Sequence, residues 1–220
     1  MEDPLPFRVA VRPLLLRLKH VHPHVYWHGQ RVAAVMRVAA TRFDVSRKER
    51  CRWVFGALLH DIGKLVLPAS LLMKSRPLGD HEWARLKRHV HYGLYLVEQA
   101  LSVEDARPLA PFLFLHHERP DGEGYPLGLT RGQIPREVHL LSIADAYVAM
   151  REPRPYRPAR SHEEVMKELH RRRGTQFEEH ALDEMLPVLE HFRLKPFSPP
   201  SPEPTPARSA KPEYGRAQAV

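Results

Sequence analysis

Ser46-Arg47-Lys48-Glu49-Arg50-Cys51-Arg52-Trp53-Val54-Phe55-Gly56-Ala57-Leu58-Leu59-His60-Asp61-Ile62-Gly63-Lys64 begins with a capping pair and ends on two adjacent polar groups. Ser46 with Glu49 three residues on is the capping-box spacing, in which hydroxyl and carboxylate satisfy each other's backbone N–H. The helix it opens carries Trp53, Phe55, Leu58 and Leu59, and then meets His60-Asp61 with Gly63 just beyond. Working outward, Pro68 stops the next segment. Asp80 is placed to cap a helix whose apolar positions Trp83, Leu86, Val90, Leu94 and Val97 recur at helical spacing. A further apolar helix runs from about Ala106 to His116-His117, and Ile134-Pro135 puts proline at the first turn of one through Leu140, Ile143 and Tyr147. Ser161 with Glu164 is a second capping box. No segment alternates with period two, so the expected fold is all-α.

Composition narrows the classes. Of 220 residues 43% are hydrophobic, enough for one substantial domain. No apolar run approaches the ~20 residues that span a bilayer. Pro13-Leu14-Leu15-Leu16 is short and flanked by Arg12, Arg17 and Lys19, without a signal-peptide cleavage site. One cysteine, Cys51, excludes an intrachain disulfide and a thiolate metal cluster, and is read as a half-buried helix residue in a cytoplasmic protein. The net charge of +8 suggests an anionic partner, but the arginines are dispersed along the chain, which argues against a nucleic-acid stripe. From about Phe197 the chain turns proline-rich. The expected domain is therefore 1–195, with its core at 23–189, followed by a tail at 196–220 that has little to bury.

Fifteen histidines are the unusual number. Burying two polar groups such as His60-Asp61 unpaired is costly, and the pattern recurs. His28 begins the apolar stretch Val32, Val35 and Met36. His89 interrupts a helix, His116-His117 closes another, and Asp145 sits inside Leu140 to Ala149. Neutral imidazoles with carboxylates suit zinc, manganese or iron, and there are more candidates than one tetrahedral ion needs.

His60-Asp61-Ile62-Gly63-Lys64, His89 and His116-His117-Glu118-Arg119-Pro120-Asp121-Gly122-Glu123-Gly124-Tyr125-Pro126 together resemble the HD-GYP subgroup of the HD phosphohydrolase superfamily. Gly128-Leu129, Ile134-Pro135, Ile143-Ala144-Asp145, Arg154-Pro155-Tyr156-Arg157 and Gly174-Thr175-Gln176-Phe177 extend the likeness from about Pro23 to Leu189. The resemblance implies an all-α helical bundle with a short structured loop over a metal site. It implies metal-dependent hydrolysis of cyclic di-GMP to the linear dinucleotide or GMP. Carried over, the metal ligands are His28, His60, Asp61, His89, His116, His117 and Asp145, with Asp61 bridging two divalent ions, iron or manganese. Asp61 and Lys64 are the catalytic pair, Lys64 lying near the scissile phosphate. Arg154 and Arg157 would hold substrate phosphates through their forked guanidinium groups, and Gly122, Gly124, Tyr125 and Pro126 would border the guanine-binding mouth.

Two positions depart from that pattern. His24 stands where members holding three ions often carry glutamate; it shares a helix face with His28 and could serve a third ion, or be one more exposed residue in the cluster His20, His22, His24. Val148 stands three residues after Asp145, where an aspartate is common. Other histidines, His81, His139, His162, His170, His180 and His191, lie among charged residues and are expected in solvent. His91, two residues past His89, is expected to face away from the site. The rivals are a related phosphohydrolase acting on another nucleotide, and a module that binds cyclic dinucleotides without cutting them. Members are usually fused to sensor domains, so regulation here is expected from a protein signalling partner, from metal or redox state, or not at all.

Overall fold

Helix follows helix along the computed structural model, which describes residues 4–153 and 158–193, with side chains from residue 8. α1 (Pro4–Val21) and α2 (Pro23–Arg42) join at His22; α3 (Arg47–Leu59) follows, then a 3-10 turn (Ile62–Val66) and α4 (Ala69–Leu72). α5 (Asp80–Lys87), α6 (His89–Ala100), α7 (Val103–Ala106) and α8 (Ala110–Leu115) lead to the long loop. α9 (Arg136–Arg151), α10 (His162–Arg171) and α11 (Glu179–Glu190) complete the bundle. Among the described residues there is no strand, as expected; isolated bridges join Asp121 to Thr130 and Arg173 to Phe177.

Both expected N-caps form, and the second is a complete capping box. The Ser46 hydroxyl accepts the Glu49 N–H at 3.2 Å, and Ser161 accepts that of Glu164 at 3.2 Å while the Glu164 carboxylate accepts the Ser161 N–H at 2.6 Å. Cys51 is half-buried on α3.

The helix expected from Asp80 is two helices, divided at Arg88, because periodicity continues across a break that the backbone makes. Gly79, not Asp80, is the N-cap: its N–H donates to the Glu82 carboxylate at 3.2 Å. Trp83 is not core but 44% exposed. The run from Ala106 is likewise split, by a 3-10 turn at Arg107–Leu109, and Pro135 lies one residue before α9.

Three histidines expected in solvent are buried. His22 Nε2–H donates to the Leu67 carbonyl at 3.0 Å. His139 Nε2–H points at the Arg131 carbonyl at 3.4 Å. His162 takes the Tyr147 hydroxyl proton at Nδ1 (2.9 Å) and donates from Nε2 to Glu190 (3.0 Å), so it ties α9, α10 and α11 together. The charged neighbours of His139 and His162 in sequence lie on other helix faces, and His22 is buried where α1 meets α2. His81, His91, His170, His180 and His191 are exposed.

Two apolar clusters form the interior. The larger gathers Val32, Met36, Trp53, Ala57, Phe112, Leu141, Tyr147 and Leu182; the smaller gathers Leu18, Val25, Leu59, Ile62, Val97 and Leu113. Along α2, His28 falls between Val25 of one and Val32 of the other. His60 follows Ala57 and Leu59, one from each, and His116 follows Phe112 and Leu113 in the same way. The polar residues singled out above therefore lie on the seam where the two cores meet.

Candidate metal centre

The C-terminal ends of α3 and α8 and the start of α6 bring their histidines to one place, and each ring is oriented by a backbone carbonyl three or four residues before it. His60 Nδ1–H donates to the Ala57 carbonyl (2.7 Å), His89 Nδ1–H to Leu86 (2.8 Å) and His116 Nδ1–H to Phe112 (2.9 Å). A carbonyl can only accept, so the proton sits on Nδ1 and Nε2 is aimed inward. His89 Nε2 is 3.3 Å and His116 Nε2 3.9 Å from Asp61 Oδ1, and His60 Nε2 is 3.5 Å from Asp61 Oδ2.

Two groups of donor atoms result. Asp61, His89, His116 and His117 form one and His28, His60 and Asp61 the other, with the atoms of each group within 4.8 Å of one another. Ligands ~2.1 Å from one ion can stand at most ~4.2 Å apart, so shifts of a few tenths of an ångström reach ligating geometry. Asp61 belongs to both groups. Asp145 lies against the second, with Oδ1 2.7 Å from His28 Nε2 and 3.7 Å from His60 Nε2.

Charge and satisfaction fit divalent cations. His60 Nε2 and Asp61 Oδ1 are buried without a hydrogen-bond partner, a costly arrangement that a metal ion relieves. Burial pushes the His60 imidazole down, but Asp61 and Asp145 outweigh it and raise it to about 10. Burial likewise opposes ionisation of Asp61, yet Lys64 and His60 hold it well below the usual carboxylate range. These carboxylates demand positive charge, and an ion supplies it by displacing protons. Across the site, burial depresses His117 to about 3 and His89 to about 4, leaving neutral imidazoles.

These opposed shifts fix how the chelated protein responds to pH. His89 and His117 titrate lower folded than unfolded, so their protonation in the unfolded chain drains stability as pH falls from about 6.5 toward 4 and 3. His60 titrates higher when folded, so its contribution is full below about 6.5 and is lost as pH rises toward 10. Denaturant titrations in excess chelator are expected to give a stability maximum near pH 6.5. A flat profile between pH 5 and 9 contradicts this.

A family model described as the HD domain matches residues 15–180, well over half of the chain. The chain belongs to the HD domain family. This HD domain is 30% identical over 167 residues to a 3'3'-cGAMP-specific phosphodiesterase of Vibrio cholerae, covering 75% of this chain and 31% of that protein. It is 32% identical over 157 residues to the cyclic di-GMP phosphodiesterase response regulator RpfG of Xanthomonas campestris, covering 71% and 41%. The chain thus spans about a third to two-fifths of the length of these relatives. An HDG"Y"P protein from Bdellovibrio bacteriovorus superposes with a TM-score of 0.60 at 20% identity, covering 76% of this chain and 52% of that one. The PgpH HD domain of L. monocytogenes gives 0.56 at 17%, covering 80% and 95%. These two likenesses establish the fold.

Most of the expected site residues of the HD domain converge. Lys64 Nζ donates to Asp61 Oδ2 at 2.5 Å. Tyr125 stacks on His117, ring centroids 4.6 Å apart and 24° from parallel. Gly124 and Tyr125 line a cavity of about 240 Å³ beside the centre, together with Trp83, Lys87, Asp145 and Gln176; Gly122 and Pro126 lie outside its lining. A Cβ at Gly124 would fall 2.4 Å from the Arg119 nitrogen, so the loop fits only with glycine there. His24 is exposed on α2 and joins neither group. Arg154, Arg157 and the tail at 196–220 lie outside the described residues.

Sequence reasoning missed four contributors. Glu118 is buried and accepts the N–H groups of Leu127 (2.6 Å) and Leu129 (2.9 Å), clasping the loop from below. Glu152 reaches His28, and Trp83 with Lys87 forms the cavity rim. For Glu152 a signal existed: it lies seven residues, two helical turns, beyond Asp145. No helix of the described residues is long and apolar enough to cross a membrane.

Proposed function

We propose that this HD domain is a metal-dependent phosphodiesterase that hydrolyses cyclic di-GMP, first to the linear dinucleotide and then, at a second cut, to GMP. The observation that carries the reading is one carboxylate, Asp61, shared by two groups of imidazoles beside a cleft that His116, His117 and Asp145 help to line. Two divalent ions, iron or manganese, would be held by His28, His60 and Asp145 on one side and His89, His116 and His117 on the other, with Asp61 between. Bound there, they would acidify water and offset charge on the phosphoryl oxygens.

The chain's own residues supply the rest. The Lys64 ammonium, beside the shared carboxylate, is placed to meet the charge that grows on a phosphoryl oxygen as the new P–O bond forms and the ribose oxygen leaves with a proton. Tyr125 braces His117 and walls the cleft against water. Its phenol is pushed up by burial, so it stays protonated. Arg154 and Arg157 are the proposed phosphate clamps. The relatives named above act on cyclic dinucleotides by their names, which supports this substrate class; a cytoplasmic setting and a signalling partner remain part of the same proposal.

The rim supports a purine-bearing substrate. Lys87 Nζ lies 5.0 Å from the Tyr125 ring centre and 5.7 Å from that of Trp83, whose surface is 44% exposed. An exposed indole beside a cation is a stacking platform for a nucleobase, worth about 1–3 kcal/mol per base. Trp83→Ala is therefore expected to raise KM for cyclic di-GMP by roughly tenfold, with kcat changed much less. An unchanged KM would take Trp83 out of the substrate's path.

The reading is tested by incubating protein loaded with manganese or iron with cyclic di-GMP, cyclic GMP-AMP and linear dinucleotides, with products separated by chromatography. Cleavage of cyclic di-GMP ahead of the others is expected. Preference for cyclic GMP-AMP would favour the neighbouring activity that one relative's name carries. Stoichiometric binding without product would make the domain a sensor instead, the reading that Val148 favours.

A further inference from the structure

One ring of the centre is held differently from its neighbours. His60, His89 and His116 place Nδ1 on neutral backbone carbonyls, whereas His28 places Nδ1 on a carboxylate, Glu152 Oε2, at 2.8 Å. The other oxygen of Glu152 accepts from Arg31 Nη1 at 2.7 Å, so both oxygens are committed and the side chain, 12% exposed, is fixed. Asp145, Val148 and Glu152 recur along one face of α9 and its cap, at i, i+3 and i+7. Asp145 meets Nε2 of the same imidazole at 2.7 Å, so one helix grips His28 at both nitrogens. Val148 between them is fully buried and offers no acceptor. The carboxylate that position 148 lacks is thus supplied one helical turn later.

We propose that Glu152 is a positioning residue that makes the His28 side the tighter of the two divalent-cation positions. A carboxylate that accepts Nδ1–H draws the proton toward itself and enriches the donor pair at Nε2, which a neutral carbonyl does more weakly. It also fixes the ring's direction toward Asp145 and Asp61. The two positions differ in carboxylates as well: one has Asp61, Asp145 and, behind His28, Glu152, while the other has Asp61 among three imidazoles. A more negative ligand set holds a divalent ion more tightly. This rests on the two-ion reading above, and answers the doubt that Val148 raises about it.

The test is a manganese titration of chelator-stripped full-length protein, with free Mn²⁺ followed by electron paramagnetic resonance and bound metal by elemental analysis. The wild type is expected to take up two ions of different affinity. Glu152→Gln keeps an acceptor for Nδ1–H but removes the charge, and Glu152→Ala removes both. The tighter ion is expected to weaken by about tenfold in the first and about a hundredfold in the second, while the weaker ion moves little. In a His89→Ala background the surviving ion is expected to be the tight one, and to respond to Glu152→Gln in the same way. Thermal melts of the stripped variants identify any that fail to fold; Glu152→Gln, which preserves shape, decides the matter if Glu152→Ala unfolds. Affinities within twofold of wild type in Glu152→Gln, or weakening confined to the weaker ion, would overturn the proposal. Two ions bound by a protein that leaves cyclic di-GMP intact would overturn the substrate reading alone. An active enzyme whose metal affinities ignore Glu152 would overturn only this one.

Discussion

Asp61→Asn is expected to lower kcat/KM for cyclic di-GMP by on the order of 10³-fold or more, which is about 4 kcal/mol of transition-state stabilisation. Among the described residues Asp61 alone belongs to both donor groups, with Oδ1 toward His89 and His116 and Oδ2 toward His60 and Lys64. Asparagine keeps the shape but offers one uncharged oxygen, so two ions can no longer share it. Elemental analysis should then find less than the two equivalents expected of the wild type, and rate and metal content should fall together. The same change leaves the Lys64 ammonium without the carboxylate it touches at 2.5 Å, so the cation near the scissile phosphate is also released from its place. Activity within tenfold of wild type, at full metal content, would falsify the shared-carboxylate reading.

Gly63→Ala is the second large effect, and it comes without touching a ligand. A Cβ at Gly63 would stand 1.9 Å from the His89 carbonyl oxygen and 2.4 Å from the Gly93 nitrogen, both backbone atoms that cannot rotate away. The 3-10 turn and α6 must separate by about 1 Å, and that joint sets the distance between His60-Asp61 and His89. A displacement of that size costs about 10²-fold in rate when it misaligns reacting groups. Overpacking of this kind costs about 1–3 kcal/mol of stability. Melting temperature, metal content and turnover of purified Gly63→Ala check the three parts together. Full activity with unchanged melting would mean that turn and helix can slide past one another.

Much of this was legible in the sequence because the chemistry there is local. Ser46 with Glu49 and Ser161 with Glu164 fix helix starts through bonds between residues three apart, and the structure makes those bonds. His60-Asp61 announces itself because two polar groups interrupt an apolar run. Periodicity failed where it could not say what an apolar face meets: Trp83 keeps helical spacing yet faces the cleft mouth. Arg88 ends a helix inside an unbroken pattern. Neighbouring charges misled for His139 and His162, because a residue's neighbours in sequence sit on different faces of its helix. For Glu152 the two-turn spacing from Asp145 gives its helix face, but its partner His28 lies 124 residues away, and no spacing rule names that partner.

The seam between the two interior clusters has a consequence for cohesion. His28, His60 and His116 each follow or separate residues belonging to different clusters, so the donor groups stand at the joint between the halves of the interior. Where most domains close such a joint with interlocking aliphatic side chains, this one closes it with imidazoles and carboxylates that repel or attract according to what lies among them. Ions held there would act as rivets through two plates. The mechanical union of the halves would then become a variable set by the surrounding solution, and on the proposed function the supply of metal would tune how firmly the molecule holds together as well as how fast it works.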